Sequence, residues 1–265
     1  MHRLSGATQN YCNAVLMMQF TISVRGKAEE IPILQFLARN YPNIPHRDID
    51  SVFGFLEKST LYGGRPFTER QISDHDVERL YSVGVGVRMP LTNNYVEPEE
   101  YRENRPLLEK YHRQGNAVIV TNDNLARWIR EDFPEYRIEA SVIKNITSYQ
   151  GIEEARQLYD TVVLPMKFCE DPDFLVEIKD KDRITLFANA GCALTCPSKI
   201  CYPSISKINK YKGGEFKCSQ TLKYREMHGM IDFDLDKLAA LGFKRFKLLR
   251  AKPASIAGVK GVTGF

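Results

Sequence analysis

The feature that most constrains the fold is a regular alternation of short β-branched runs with amphipathic helical stretches along the chain. Eight such runs are strand candidates, at spacings of roughly thirty residues: 19–24, 51–56, 85–89, 116–120, 136–143, 161–165, 183–188 and 243–249. Strict β/α alternation implies a parallel sheet with right-handed crossovers. Eight units in 265 residues favour an α/β fold of the (β/α)8 TIM-like barrel type over a doubly wound sheet.

Two further patterns support the barrel. No G-x-G-x-x-G motif follows the first strand, which disfavours a Rossmann fold. Several runs, such as Ala117–Val120, are continuously apolar, as expected for strands covered on both faces. Helices are predicted between the strands, at residues 31–40, 74–83, 98–114, 123–131, 152–159, 173–178 and 234–241.

The domain organisation follows from this alternation. We expect one barrel domain over residues 18–250, after a flexible N-terminal segment at 1–17. A cysteine-rich insertion at 189–231 separates strands seven and eight. Residues 251–265 contain Gly and Pro and are predicted to be a tail, which leaves the barrel incomplete at its last helix.

Composition sets mild limits on function. The net charge of +4 permits an anionic small molecule or RNA as partner, although an ordinary soluble surface explains it as well. No run reaches the roughly 18–20 apolar residues of a membrane span, and no secretory signal is recognisable. A reducing cytoplasm is therefore the expected compartment.

The active site of such a barrel lies at the C-terminal ends of its strands. Residues one to four positions beyond the strands are rich in cations and amides, which favours an anionic ligand. The substrate-binding candidates at this mouth are Arg88, Asn93, Asn122, Lys144, Lys167 and Asn189. Each is also explained as a loop cap or a solvated charge, and Asn122 suits a helix cap especially well.

Four cysteines form the strongest chemical signal, with the spacing Cys192-x3-Cys196-x4-Cys201-x16-Cys218. Clustered thiols in a chain without a secretory signal are more typical of metal ligands than of disulfides. The spacing matches neither zinc-ribbon nor ferredoxin nor radical-SAM patterns. We expect a [4Fe–4S] cluster, with zinc as the second choice and inert or disulfide-forming cysteines as the remaining alternative. Cys169, after strand six, is an outlying candidate ligand.

The insertion is also basic, and Tyr202, Tyr211, Phe216 and Tyr224 are interleaved with its lysines. Such a mixture suits RNA binding, but it equally suits the solvated surface of a cluster loop.

His228 is a possible proton donor or ligand, although a surface histidine is the simpler interpretation. Neither H-E-x-x-H nor G-x-S-x-G occurs.

The stretch from Thr161 through Leu186-Phe-Ala-Asn-Ala-Gly-Cys192, and on to Cys196 and Cys201, resembles the peptidase U32 family. Tyr62-Gly-Gly-Arg-Pro66 is similar to that family's early glycine-containing segment. The resemblance implies a TIM-like barrel carrying a [4Fe–4S] cluster and oxygen-independent hydroxylation of RNA bases or a quinone precursor, with prephenate as a proposed oxygen source. It matches Cys192 to the first family cysteine.

Cys196, Cys201 and Cys218 match the family by order rather than by spacing. This departure leaves the fourth ligand open between Cys218, Cys201 and Cys169. Three hypotheses follow: an iron–sulfur hydroxylase or related redox enzyme served by an unidentified electron donor, a metal-stabilised nucleic-acid-binding module without catalysis, and a peptidase as the family name suggests.

Overall fold

The computed structural model describes residues 17–196, 198–211, 214–220 and 231–249 of the chain. Within them the strands are β1 (Gln19–Ser23), β2 (Ile49–Phe53), β3 (Gly86–Met89), β4 (Ala117–Val120), β5 (Arg137–Ala140), β6 (Thr161–Val163), β7 (Ile184–Phe187), β8 (Asn189–Ala190), β9 (Ile231–Asp232) and β10 (Arg245–Leu248). The α-helices are α1 (Ile33–Asn40), α2 (Asp74–Ser82), α3 (Pro98–Lys110), α4 (Asp123–Asp132), α5 (Tyr149–Arg156), α6 (Pro172–Val176), α7 (Cys201–Lys210) and α8 (Leu235–Ala240).

Eight parallel strands close into a barrel, in the order β1, β2, β3, β4, β5, β6, β7, β10 and back to β1. The (β/α)8 TIM-like fold predicted from the sequence is confirmed, and each of the eight predicted strands is present. The tail expected at 251–265, and residues 1–16 of the flexible segment expected at 1–17, lie outside the described residues. None of the described helices is long and apolar enough to cross a membrane.

Among the differences from the predicted elements, two have a clear physical reason. β2 begins at Ile49 rather than Ser51, because the register between β1 and β2 shifts so that Asp50 is an extra residue between paired positions. A polar residue at a bulge interrupts the apolar pattern. The second difference is α7, which lies inside the cysteine-rich insertion and was not predicted; its Pro203 falls in the first turn, where proline is tolerated.

The helices begin where local chemistry favours it. Ser73 caps α2, and its side chain accepts from the Asp76 backbone N–H in a capping box. Glu97 and Pro98 start α3 with a second capping box and proline in the first turn. These signals orient the outer helices so that their apolar sides cover the barrel strands.

The barrel wall separates two different environments. Outward-facing strand residues such as Ile22, Val52 and Val118 belong to the hydrophobic core under the helices. The interior is polar instead, although barrels of this type usually fill it with branched apolar residues. Its buried polar side chains are Thr21, Ser51, Arg88, Glu139, Thr161, Thr185 and Lys247.

The interior network centres on Glu139 of β5, which is fully buried. Its Oε2 accepts from Arg88 Nη1 at 2.5 Å, and its Oε1 accepts from Lys247 Nζ at 2.9 Å. The hydroxyls of Thr161 and Thr185 donate to Oε2 as well. Because β5 borders neither β3 nor β10, the bonds from Arg88 and Lys247 cross the barrel interior. Burial raises the pKa of Glu139, but the Arg88 and Lys247 charges outweigh it, so the pKa lies below its usual range.

Replacing Arg88 with Met is expected to lower the free energy of unfolding by about 3–5 kcal/mol, because it removes the buried cation that pairs with the Glu139 and Asp50 carboxylates. Urea denaturation followed by circular dichroism measures this loss. Arg102→Met, which removes an exposed pair with Glu99, is the control and should cost less than about 1 kcal/mol. Equal, small losses in both variants would contradict a structural role for Arg88.

Candidate metal centre at the barrel mouth

The cysteine-rich insertion is anchored at its base. β7 ends at Phe187, and the next two residues form β8, which pairs antiparallel with β9 at the other end of the insertion. The Phe233 N–H donates to the Ala188 carbonyl, and the Leu249 N–H donates to Asn189 Oδ1. The insertion therefore leaves and re-enters the barrel at one place, beside the C-terminal ends of β7 and β10.

Four cysteine thiols lie near one another above this base. Burial raises the pKa of Cys201, and the charges of Cys196, Cys218 and Cys192 raise it further. Burial also raises the pKa of Tyr202, and the charges of Cys201, Cys192 and Cys196 add to that effect. The four thiols are therefore close enough for their charges to influence one another, which is a weaker condition than sharing one metal ion.

Backbone and hydroxyl donors surround two of these sulfurs. The Lys199 N–H and the Ser219 hydroxyl each lie 3.4 Å from Cys196 Sγ, and the Gln220 N–H lies 3.4 Å from Cys218 Sγ. Lys199 adopts a left-handed backbone, with φ of 48°, at this turn of the loop. Burial would raise the pKa of Cys196, but these hydrogen bonds lower it overall.

All five described cysteines are free thiols. Among the residues that the structure describes, no three His, Cys, Asp or Glu side chains are grouped so as to hold one metal ion. His228, considered in the sequence analysis, lies outside the described residues. As metal ligands the cysteines stay a prediction.

Cys169 is separate from the other four. It lies in a 3-10 turn after β6, and its Sγ is 3.5 Å from the Phe187 carbonyl oxygen. Burial raises its pKa to about 12. It lines a cavity of about 350 Å³ with Asp232, Phe233 and Leu238. The outlying ligand candidate is thus a half-buried, neutral thiol beside the end of β7.

Helix α7 carries the insertion across the mouth. It begins at Cys201 and, at 1.5 Å per residue, is about 15 Å long. At its far end Asn209 Nδ2 donates to the carbonyls of Tyr62 and Arg65, and its Oδ1 accepts from the Phe67 N–H. These partners follow β2, on the opposite side of the barrel from β7. The helix therefore spans the mouth from the cysteine loop to the far rim.

Asn93 fastens the middle of α7. It is completely buried, and its Nδ2 donates to the carbonyls of Thr60, Tyr62 and Ser206. Lys210, at the end of α7, forms an ion pair of 2.7 Å with Glu100. The predicted substrate-binding residue Asn93 is thus occupied by structural contacts.

Glycine is required at position 63, in the loop after β2, for a steric reason. A Cβ on Gly63 would lie 2.2 Å from the Thr92 carbonyl oxygen, which is closer than real Cβ contacts come. The loop after β2 and the loop after β3 therefore touch through their backbones. This contact forms the far rim on which α7 rests.

The other predicted substrate-binding residues occupy varied positions. Arg88 lies inside the barrel in the Glu139 network. Asn122 caps α4, and its Oδ1 accepts from the backbone of Asn124 and Leu125, as the helix-cap interpretation predicts. Lys144 donates to the Thr121 carbonyl and to Asp123.

Lys167 and Asn189 complete the set. Lys167 is exposed, with its ammonium 4.9 Å from the Phe168 ring centroid. Asn189 is completely buried; its Oδ1 accepts from Leu249, while its Nδ2 has no hydrogen-bond partner among the described residues. Of the six candidates, Asn189 is the one with a buried donor left for a ligand beside the cysteine loop.

Sequence reasoning missed the residues that hold α7: Ser206, Asn209 and Lys210. Their only sequence signal is polar spacing within one short helix, and their partners are more than a hundred residues away. Polar contacts at such separations leave no local pattern.

Comparisons with known proteins support the fold. A scan against protein-family models gives no match, and a search of curated proteins gives none. Among solved structures, the chain is similar to the U32 peptidase Mk0906, with a TM-score of 0.58 and 13% sequence identity over 96% of this chain and 97% of that chain. The chain therefore has a U32-like barrel fold, and at this identity the similarity is one of fold.

Asn93→Ala is expected to speed amide hydrogen exchange across α7, by roughly tenfold or more, because three carbonyls lose their shared donor. Exchange measured by mass spectrometry on peptides covering 201–210 tests this. Asn124→Ala, at an exposed position of α4, should leave α7 unchanged. An unaltered α7 in Asn93→Ala would contradict the anchoring role.

Thiol alkylation should distinguish Cys169 from the other described cysteines. At pH 8 a thiol of pKa about 12 is only about 10⁻⁴ thiolate, roughly three orders of magnitude less than an ordinary thiol. Reduced apoprotein treated with iodoacetamide should therefore label slowest at Cys169 and fastest at Cys196. In urea all should label at similar rates, and fast native labelling of Cys169 would refute its burial.

Proposed function

We propose that this chain is a U32-type protein that binds a [4Fe–4S] cluster through Cys192, Cys196, Cys201 and Cys218. The observation that carries the proposal is the mutual charge interaction at Cys201, whose thiol is influenced by the three others. Each iron of such a cluster takes one thiolate, and these four thiols lie near enough to influence one another's charge. When bound, the cluster supplies one-electron redox chemistry.

The residues around the thiols fit this role. N–H and hydroxyl donors to Cys196 and Cys218 stabilise thiolate charge, and hydrogen bonds to the sulfurs tune the potential of such centres. Cys192 is exposed while Cys201 is half-buried, so the site lies at the protein surface beside the mouth.

The reaction we propose is an oxygen-independent hydroxylation, or a related redox step, on a substrate held at the barrel mouth. Asn189 Nδ2 and Thr121 Oγ1 are buried polar atoms at the ends of β7 and β4 with no partner among the described residues. A bound substrate with oxygen acceptors would satisfy them, which removes a desolvation cost of about 1–3 kcal/mol for each group. Lys144 also lies at this rim, where its charge is compensated by Asp123, 2.7 Å away.

A non-catalytic nucleic-acid-binding module is the second candidate. Tyr95 and Tyr211 are substantially exposed beside α7, and the Lys207 and Lys210 ammonium groups lie 5.8 Å and 5.5 Å from their respective rings. Aromatic faces interleaved with lysines suit base stacking and phosphate contact. The peptidase activity in the structural neighbour's name is a third possibility that rests on that name alone.

Iron and acid-labile sulfide should be quantified on protein purified anaerobically. We expect a brown protein with about four irons and four sulfides per chain, since four thiolates hold one [4Fe–4S] cluster. Cys201→Ala should lose most of the iron and the colour, because it removes the thiol that interacts with all the others. Cys169→Ala is the matched control and should retain both.

Other outcomes decide between the candidates. A colourless, zinc-loaded protein whose RNA affinity falls steeply with salt would support the binding module. Cleavage of gelatin that survives Cys201→Ala would support the peptidase. Loss of iron in Cys169→Ala, with retention in Cys201→Ala, would overturn the ligand set.

A further inference from the structure

The N-terminal end of the barrel, opposite the cysteine loop, concentrates positive charge around a single carboxylate. Arg137 begins β5, and its Nη2 contacts both carboxylate oxygens of Asp50, at 2.6 and 2.5 Å. Arg88 Nη2 donates to Asp50 Oδ2 at 2.7 Å. Arg245 begins β10, and its Nη1 lies 3.9 Å from Asp50 Oδ1. Three guanidinium groups thus face one aspartate.

The charges inside this end of the barrel do not balance. Arg88, Arg137, Arg245 and Lys247 carry four positive charges, while Asp50 and Glu139 carry two negative ones. The difference, four minus two, is an excess of two positive charges. Buried charge without compensation is unfavourable, so this arrangement is stabilised by an added anion.

Among the described residues, the other acidic groups near this end have neighbouring cations of their own. The Asp48 carboxylate lies 3.9 Å from Arg47 Nε. The Asp182 carboxylate pairs with Lys244, while its backbone carbonyl accepts from Arg245 Nε at 2.8 Å. Arg183, which precedes β7, donates to backbone carbonyls of residues 156, 159 and 160. The Asp160 carboxylate pairs with Arg130.

Two of the arginines, Arg137 and Arg245, have N–H donors available for a ligand. Arg137 Nε is buried and has no hydrogen-bond partner among the described residues. Arg245 approaches Asp50 only at 3.9 Å, beyond hydrogen-bond distance. Burial lowers the pKa of Arg245, and the charge of Arg137 lowers it further, which is the effect of cations held close together. Their side chains are 28% and 24% exposed, so both reach solvent at the barrel end.

We propose that the N-terminal end of the barrel binds a compact oxyanion, inorganic phosphate or the phosphate group of a small molecule, between Arg137 and Arg245. The guanidinium fork matches phosphate geometry. A phosphate group carries about −1.5 to −2 at neutral pH, which offsets the excess of two positive charges. This site is independent of the cysteine centre, which lies at the other end of the barrel.

The test uses inorganic phosphate as the probe. Isothermal titration calorimetry at constant ionic strength, with chloride as the balancing ion, should detect binding to the wild-type protein. Arg245→Gln should weaken the affinity at least tenfold, because it removes one arm of the site. Arg47→Gln, at an arginine whose side chain is 81% exposed, should change it less than twofold. Equal affinity in wild type and Arg245→Gln, or no binding to wild type, would overturn the proposal.

Two controls keep the test decisive. Phenylglyoxal modification of unaltered protein, mapped by mass spectrometry, should show that phosphate protects Arg137 and Arg245 but not Arg47; equal protection of all three, or of none, would refute the site even if Arg245→Gln did not fold. Cys201→Ala should bind phosphate as wild type does. Loss of binding in that variant would place the phosphate at the mouth and overturn the proposal without bearing on the cluster. Free phosphate and a phosphate ester are distinguished by repeating the titration with glycerol 3-phosphate.

Discussion

The structure depends most on one buried carboxylate. Glu139 accepts hydrogen bonds from Arg88 of β3, Thr161 of β6, Thr185 of β7 and Lys247 of β10, so a single side chain of β5 connects five of the eight barrel strands from inside. A polar interior of this kind is stable only while every member is satisfied. The network therefore specifies one register of the barrel, and the two ends that it separates are free to differ in chemistry.

At the C-terminal end, the cysteine insertion and the mouth form one connected unit. α7 starts at Cys201 and ends against loops that follow β2 and β3, across the barrel from the strand that leads into the insertion. A single short helix thereby links the cysteine loop to the far rim. This connection explains why polar residues around the mouth, Asn93 above all, serve α7 and are not left for a ligand, whereas Asn189 keeps an unused donor.

The sequence predicted the barrel well because strand and helix periodicities are local. All eight barrel strands were located, and β2 was displaced only by the bulge at Asp50. The interior was not predicted, because pairing between Arg88 and Glu139 depends on barrel closure and leaves no trace in neighbouring residues. For the same reason Arg88 was assigned to the mouth. The cysteines were identified by chemistry and spacing, but separating Cys169 from the other four required the fold, which places β7 backbone beside its thiol.

The central claim is that Cys192, Cys196, Cys201 and Cys218 surround one iron–sulfur cluster. Anomalous diffraction at the iron edge, from crystals grown under anaerobic conditions, tests it most directly. The account predicts one iron peak enclosed by these four sulfurs above the end of β7, with Cys169 outside it. Absence of iron at that place in iron-replete protein, or an iron peak bound through Cys169, would contradict the account.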